Sequence, residues 1–168
     1  QDTALPLSDV LPMLENMGLR VIDEIPFNIE TEEGRRIWFH DFGMVTPDGS
    51  DIVVDAIKDA FEETFRRVWR NEVENDGFNG MVTCSGLTWR QIVVLRAYCR
   101  FLRQAGIPFS DHYMVDTLRG NAVIARDLID LFGEMFDPSR QGGKSKTGKL
   151  RRKINAELDS VQSLDEDR

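Results

Sequence analysis

The order of hydrophobic patterns in the first half of the chain is the feature that most restricts its fold. Residues 9–17 carry apolar side chains at helical spacing, and residues 19–27 then alternate apolar and polar side chains. After a polar connection at 29–36, residues 37–45 are rich in aromatic and β-branched side chains, which is typical of a second strand. Residues 51–72 return to the i, i+3, i+4, i+7 spacing of a helix. The first block therefore reads helix, strand, strand, helix.

Local signals predict where the first helix begins and ends. Ser8 is predicted to cap a helix that starts at Asp9, and Gly18 to end it in the left-handed conformation. One strand before and one after this block would complete a βαββαβ sandwich. We expect the last strand at residues 81–84, and the first strand before the chain begins or within its first few residues.

The second block, residues 86–138, is predicted to be all-helical. Thr88 begins a capping box that opens its first helix, and Ser110 and Asn121 are predicted to cap the next two. The last of these helices is expected to turn six apolar side chains inward, namely Val123, Ile124, Leu128, Leu131, Phe132 and Met135.

Charge is distributed unevenly along the chain. The net charge of −8 combines −11 in residues 1–138, +7 in residues 139–153 and −4 in the remainder. The acidic body repels nucleic acid, which argues against a nucleic-acid partner. The basic run nearly matches a phosphate loop at 143–150, but Leu150 replaces the hydroxyl that binds magnesium and no strand precedes it. A flexible basic linker is the better interpretation, with a helix over 150–164.

Composition places the chain among globular proteins, with 41% hydrophobic and 30% charged residues. No apolar run approaches the roughly 18 residues that would span a membrane.

The chain begins with Gln1 and has no basic-then-apolar leader, so we expect a piece of a longer protein without a signal peptide. Two cysteines, Cys84 and Cys99, fit a reducing cytoplasm, and Cys99 is predicted to be a packed thiol.

No constellation of side chains predicts a catalytic or metal site. His112 and Asp116 lie four residues apart on a predicted helix, but one histidine and one carboxylate do not fill a zinc site, so an exposed pair is the better interpretation.

One face of the predicted helix that Thr88 opens carries three arginines, Arg96, Arg100 and Arg103. That face is either solvated, which we favour, or a contact for an acidic partner.

Several strings of residues resemble the large bacterial NAD-specific glutamate dehydrogenases. The resemblance covers nearly all of 5–138 and returns at the end of the chain. It is carried by residues 7–24 (LSDVLPMLENMGLRVIDE), 38–43 (WFHDFG), 76–79 (DGFN), 87–90 (LTWR), 95–98 (LRAY), 102–109 (LRQAGIPF), 136–138 (FDP) and 164–168 (LDEDR).

The resemblance implies a parent enzyme that oxidises L-glutamate with NAD to 2-oxoglutarate, ammonium and NADH. It places this segment in the N-terminal region, before the catalytic domain, as an ACT-like, ferredoxin-like module followed by a helical module. None of the family's catalytic or NAD-binding motifs lies in this sequence, so the resemblance assigns no catalytic residue and no cofactor here. The α+β fold class then divides into an ACT-like module at 1–85, a helical module at 86–138, and a basic linker with a C-terminal helix at 139–168.

ACT modules commonly pair sheet to sheet and hold amino acids near the first strand–helix loop. That loop is expected at residues 5–9, facing the turn at 16–18, so an amino-acid effector would meet Ser8, Asp9 and Gly18. Asp9 would hold the amino group and the helix N-terminus the carboxylate. The alternative is that Ser8 and Asp9 only cap the helix. The resemblance also implies contact with the catalytic region of the same chain and a homo-oligomer.

A rival interpretation is a pure protein-interaction or oligomerisation module with no small-molecule ligand. An exposed apolar face would favour it. A third class, an enzyme in its own right, is opposed by the lack of paired catalytic groups in the sequence.

Overall fold

The computed structural model describes residues 6–140 and 143–161, which form two compact units, 1–89 and 90–168. The expected α+β arrangement followed by helices is confirmed. The first unit contains α1 (Leu7–Asn16), β1 (Arg20–Glu30), β2 (Arg36–Val45), α2 (Val54–Trp69), a short 3-10 helix (Gly77–Gly80) and α3 (Met81–Ser85). Helix α4 (Trp89–Gln104) begins with the last residue of the first unit and continues in the second, which also contains α5 (Asp111–Gly120), α6 (Ala122–Phe136) and α7 (Gly143–Leu158).

The core of the first unit is built by its helices. Val10 of α1, Val68 of α2 and Met81 and Val82 of α3 are fully buried, together with Met17 at the end of α1. Neither strand contributes a buried side chain. The hairpin therefore adds little to this core.

Helix α1 begins earlier than its sequence predicts. Its first residue is Leu7, Pro6 precedes it, and no side chain caps it, so the predicted cap by Ser8 is wrong. Ser8 lies in the first turn and donates to the Asp9 carboxylate instead, over 3.3 Å. Gly18 ends the helix as predicted, with φ of 84°. The Gly18 and Leu19 N–H groups donate to the Glu15 and Leu14 carbonyls, which closes the last turn.

The last strand predicted at 81–84 is wrong, because these residues form α3. Asp76 accepts a hydrogen bond from the Phe78 N–H over 3.1 Å and starts the 3-10 helix that leads into α3. Asp76 begins this segment and Gly86, in the left-handed conformation, ends it. The residues between them therefore form two short helical elements, the 3-10 helix and α3. The predicted first strand falls partly on residues 1–5, which lie outside the described residues.

The two strands form one antiparallel hairpin with a single irregularity. Ten residue pairs run from Arg20–Val45 to Glu30–Arg36, and the register shifts between Val21 and Asp23. The connection is a tight turn in which Gly34 has φ of 74°. A two-stranded sheet is marginally stable alone, so its faces need other surfaces to pack on.

The caps of the second unit are only partly as predicted. Ser110 caps α5, accepting from the Tyr113 N–H over 3.1 Å. The side chain of Asn121 does not cap α6; its amide donates instead to the Thr117 carbonyl of α5 over 2.9 Å. Asn121 therefore closes the preceding helix rather than opening the next one.

The linker predicted over the basic run is wrong where the structure describes it. Residues 143–149 form the first two turns of α7, which continues to Leu158. The predicted end of that helix at residue 164 lies outside the described residues. The Gly, Lys and Ser residues of 143–149 have the composition of a loop. The contacts of α7 with α6 nevertheless stabilise the helix.

The inward face predicted for α6 is partly wrong. Val123, Leu128 and Met135 are exposed, whereas Asp127 and Glu134 are buried with Ala125 and Ile129.

The solvated face predicted for the α4 arginines is wrong for Arg96, which is buried.

Among the described residues, no helix is both long enough and apolar enough to cross a membrane.

Candidate functional site

The three residues predicted to meet an effector do not lie together. Ser8 and Asp9 are exposed in the first turn of α1, and Gly18 is buried just beyond its last turn. A ten-residue helix rises about 15 Å, so one small amino acid does not bridge its two ends. The structure keeps Ser8 and Asp9 as neighbours and separates Gly18 from them.

The hairpin presents an apolar face to solvent. Strand pairing places Phe27 opposite Phe39 and Ile29 opposite Ile37. Because side chains alternate along a strand, these four share a face with Ile25 and Val45. All six are between 44% and 54% exposed. We call the surface formed by Ile25, Phe27, Ile29, Ile37, Phe39 and Val45 the hairpin face.

The opposite side of the hairpin carries a shielded polar pair. His40 Nδ1 donates to Glu24 Oε1 over 2.6 Å, and both side chains are largely buried. His40 also stacks on Phe42, with ring centroids 6.1 Å apart. His40 Nε2 is buried and has no hydrogen-bond partner among residues 6–140 and 143–161. This side of the hairpin thus combines a shielded polar pair with the half-buried aromatic side chains of Trp38 and Phe42.

The exposed apolar face has a signal in the sequence that the prediction did not use. Ile25, Phe27 and Ile29 occupy alternate positions of β1, and Ile37 and Phe39 occupy alternate positions of β2. A tight turn between the strands brings both sets to one side of the sheet. Their lack of cover could not be read from the sequence, since it depends on where the helices pack.

Chemically reactive groups elsewhere are dispersed. Burial, with a smaller contribution from the charge of Asp111, raises the pKa of the Cys99 thiol from 9.0 to about 11, which fits the predicted packed thiol. His112 and Asp116 form the expected exposed pair, with Nε2 and Oδ2 3.4 Å apart. No group of three metal-ligating side chains occurs in the described part of the chain. These groups do not assemble a catalytic centre.

An arginine ties three segments of the first unit together. Arg67 donates to Glu63 over 2.8 Å and to Glu72 over 2.6 Å. Its guanidinium carbon lies 4.6 Å from the centre of the Trp89 ring, within range of a cation–π contact. The hydrogen bond to Glu63 raises the pKa of Arg67. This cluster is structural, because its polar atoms face one another.

NAD would need a glycine-rich turn between a parallel strand and a helix. The two strands described here are antiparallel and joined to each other by a tight turn, so the described residues do not fit that cofactor. No residue of this chain is assigned to NAD.

Comparison with known proteins identifies the chain's relatives. Residues 1–57 match the family described as glutamate dehydrogenase, ACT3 domain, and residues 73–138 match glutamate dehydrogenase, helical motif 3. The chain is 39% identical over 171 residues to the NAD-specific glutamate dehydrogenase of Pseudomonas aeruginosa, an alignment that covers 99% of this chain and 11% of that protein.

Two further relatives carry the same name. The proteins of Halomonas elongata and Mycobacterium tuberculosis are 37% and 35% identical, over 97% and 96% of this chain and 10% of each relative. The chain therefore spans about a tenth of the length of these curated relatives. It belongs to the NAD-specific glutamate dehydrogenase family, as a segment that combines the third ACT domain with helical motif 3.

Proposed function

We propose that this chain is a non-catalytic, architectural segment of an NAD-dependent glutamate dehydrogenase. The whole enzyme would convert L-glutamate, NAD and water into 2-oxoglutarate, ammonium and NADH, as the names of the relatives suggest. The two free cysteines support a cytoplasmic location. The catalytic chemistry belongs to parts of the parent protein outside this tenth of its length.

The hairpin face is the observation that carries the architectural role. Isolated apolar side chains are common on protein surfaces, but six together on one sheet face mark an interaction surface. The hairpin has only two strands, so it also gains stability when that face is covered. Covering it is therefore expected to be part of how the enzyme assembles.

We assign a second copy of this chain as the occupant of the hairpin face. Phe27 lies opposite Phe39 and Ile29 opposite Ile37, so both strands contribute matching apolar side chains to the face. Self-complementary patches are what a two-fold interface requires. Six half-exposed side chains of this size offer roughly 500 Å². Two such faces bury about 1,000 Å², the lower limit for specific association.

Sedimentation of the 168-residue chain over a wide concentration range tests this proposal. The unsubstituted chain should pass from monomer to dimer as concentration rises. Phe39→Ser should abolish the dimer, whereas the control Phe101→Ser, which alters an exposed phenylalanine on α4, should leave it intact. A chain that stays monomeric, or a dimer lost only in Phe101→Ser, would contradict the assignment. Covering of the face by the catalytic region of the parent chain would then be the better explanation.

A regulatory role is the second candidate, through an amino-acid effector at the start of α1. It is supported by the exposure of Ser8 and Asp9 where the N–H groups of the helix begin. Thermal melting with a panel of amino acids and 2-oxoglutarate tests it, because about 100-fold excess over the dissociation constant stabilises a protein by roughly 2.7 kcal/mol. A selective shift that disappears in Ser8→Ala and Asp9→Ala supports an effector site. A shift that survives both substitutions excludes these residues.

A further inference from the structure

Two carboxylates of α6 are almost completely withdrawn from solvent. The side chain of Asp127 is 7% exposed and that of Glu134 is 2% exposed. Seven residues separate them, so both lie on the same face of the helix. A buried carboxylate is costly unless a cation compensates it, so this face of α6 requires positive partners.

Helix α7 supplies one lysine to each carboxylate. Lys153 Nζ lies 2.7 Å from Asp127 Oδ2, and Lys146 Nζ lies 2.5 Å from Glu134 Oε1. The lysines are also seven residues apart, and their order is reversed, which matches an antiparallel helix pair. The hydrogen bond to Asp127 raises the pKa of Lys153 and keeps its ammonium charged.

Apolar packing contributes little to the attachment of α7. Ile154 is the sole fully covered side chain of this helix among residues 145–158. Leu150 and Glu157 of this helix are half-buried. Charge pairing is therefore the main interaction that holds α7 on α6.

We infer that α7 is an electrostatic latch, attached to α6 by the pairs Lys146–Glu134 and Lys153–Asp127 and released as a unit when salt screens them. The lysine side chains are 59% and 54% exposed, so dissolved ions reach both pairs from the solvent side. Release transfers the two carboxylates to water, where they are well solvated. The opening is local, because the other helices of the unit keep their own apolar contacts. The latch adds a conformational response to ionic conditions, independent of the hairpin face.

Hydrogen exchange of the backbone amides tests the latch in the 168-residue chain. Raising NaCl from 0.01 to 1 M shortens the screening length from about 30 to about 3 Å. Protection of the α7 amides from residue 150 to 155 should fall at least about 10-fold, while the α4 amides stay protected. Unchanged α7 protection, absent α7 protection at low salt, or an equal loss in α4 would each overturn the inference.

Two pairs of substitutions distinguish the loss of the two ion pairs from a general loss of positive charge on α7. Lys146→Met with Lys153→Met should release α7 even at low salt. Lys149→Met with Arg152→Met is the control, because these side chains are exposed and form no ion pair with a described residue. Equal effects of the two pairs of substitutions would overturn the inference.

A four-substitution variant distinguishes release from failure to fold. Adding Asp127→Leu and Glu134→Met to the two lysine substitutions removes the buried charges that had lost their lysine partners. Glu134 has a second cation, Arg140, whose Nη1 lies 3.6 Å from its Oε1. Such replacement of whole ion pairs by apolar groups is commonly tolerated. We expect α7 to be protected again and to lose its dependence on salt. Protection that remains salt-dependent in this variant would contradict the latch.

Discussion

Asp23 Oδ1 accepts a hydrogen bond from the backbone N–H of Gly43 over 3.1 Å, at the one irregularity of the hairpin. The register shifts between Val21 and Asp23, and Asp23 is paired directly with Gly43. A Cβ atom on residue 43 would lie 2.1 Å from that same carboxylate oxygen. The irregularity therefore depends on glycine at position 43.

Replacing Gly43 by alanine should destabilise the first unit. The new methyl group displaces the Asp23 carboxylate and breaks its hydrogen bond, so we expect the free energy of unfolding to fall by about 1–3 kcal/mol. Urea denaturation measures this change. Gly148→Ala is the matched control, since nothing lies near its added methyl group and alanine favours the interior of α7 by about 0.5–1 kcal/mol. Equal effects at the two glycines would contradict the proposed role of Gly43.

The two serines near helix starts should respond differently to alanine. Ser110 accepts from the Tyr113 N–H, so Ser110→Ala is expected to cost about 1 kcal/mol of unfolding free energy. Ser8 caps nothing, so Ser8→Ala is expected to change stability by less than about 0.5 kcal/mol. Thermal melting of both variants provides the measurement. A larger loss at Ser8 would show that α1 is capped in solution by the residue its sequence first suggested.

The two cysteines should differ in reactivity. Burial raises the pKa of Cys99 from 9.0 to about 11, so its thiolate is about 100-fold scarcer at pH 8 than that of an unperturbed thiol. We expect a disulfide reagent to modify exposed Cys84 rapidly and Cys99 at least that much more slowly. Modification of both thiols at one rate in the native chain would be inconsistent with this burial.

The same shift makes stability depend on pH. Folding favours the protonated Cys99 thiol, because its pKa is higher in the folded chain than in the unfolded chain. This contribution to the free energy of unfolding is complete below pH 9 and is lost as the pH rises through about 11. Comparing the alkaline stability profile with that of Cys99→Ala isolates the effect. Identical slopes in the two profiles would exclude it.

Arg67 should be harder to replace than its neighbour. Arg67→Lys keeps the charge but loses the planar fork that binds Glu63 and Glu72 together and lies over Trp89. Arg66 pairs with Glu63 alone, so Arg66→Lys serves as the control. We expect a clearly lower urea midpoint for the Arg67 variant. A comparable decrease in both variants would mean that charge alone sustains the cluster.

Elements with a strong local period could be predicted from the sequence. The alternation in β1, the aromatic and β-branched composition of β2 and the helical spacing in α2 are properties of neighbouring residues, and each gave the correct element type. The run at 81–84 was too short to separate strand from helix by period. Its helical form depends on the turn that Asp76 begins and on burial of Met81 and Val82.

The interactions that depend on distant residues could not be predicted. The inward face predicted for α6 contained only apolar residues and did not include Asp127 and Glu134. Their lysine partners come 26 and 12 residues later, in a stretch with the composition of a linker. Similarly, the exposure of the hairpin face follows from where the helices pack. Ser8, Asp9 and Gly18 were expected to meet one effector because the resemblance placed the loop at 5–9 opposite the turn at 16–18. Helix α1 instead holds them at its two ends.

The match to helical motif 3 ends at residue 138, before α7 begins. A chain trimmed at that boundary would keep Asp127 and Glu134 and lose Lys146 and Lys153. These two carboxylates, which are part of the −11 carried by residues 1–138, would then lose their lysine partners. The sequence boundary and the electrostatic boundary of the motif thus differ by about one helix. A domain excised at residue 138 would carry a net charge of −11, against −8 for the whole chain, and two of its buried carboxylates would lack their lysine partners.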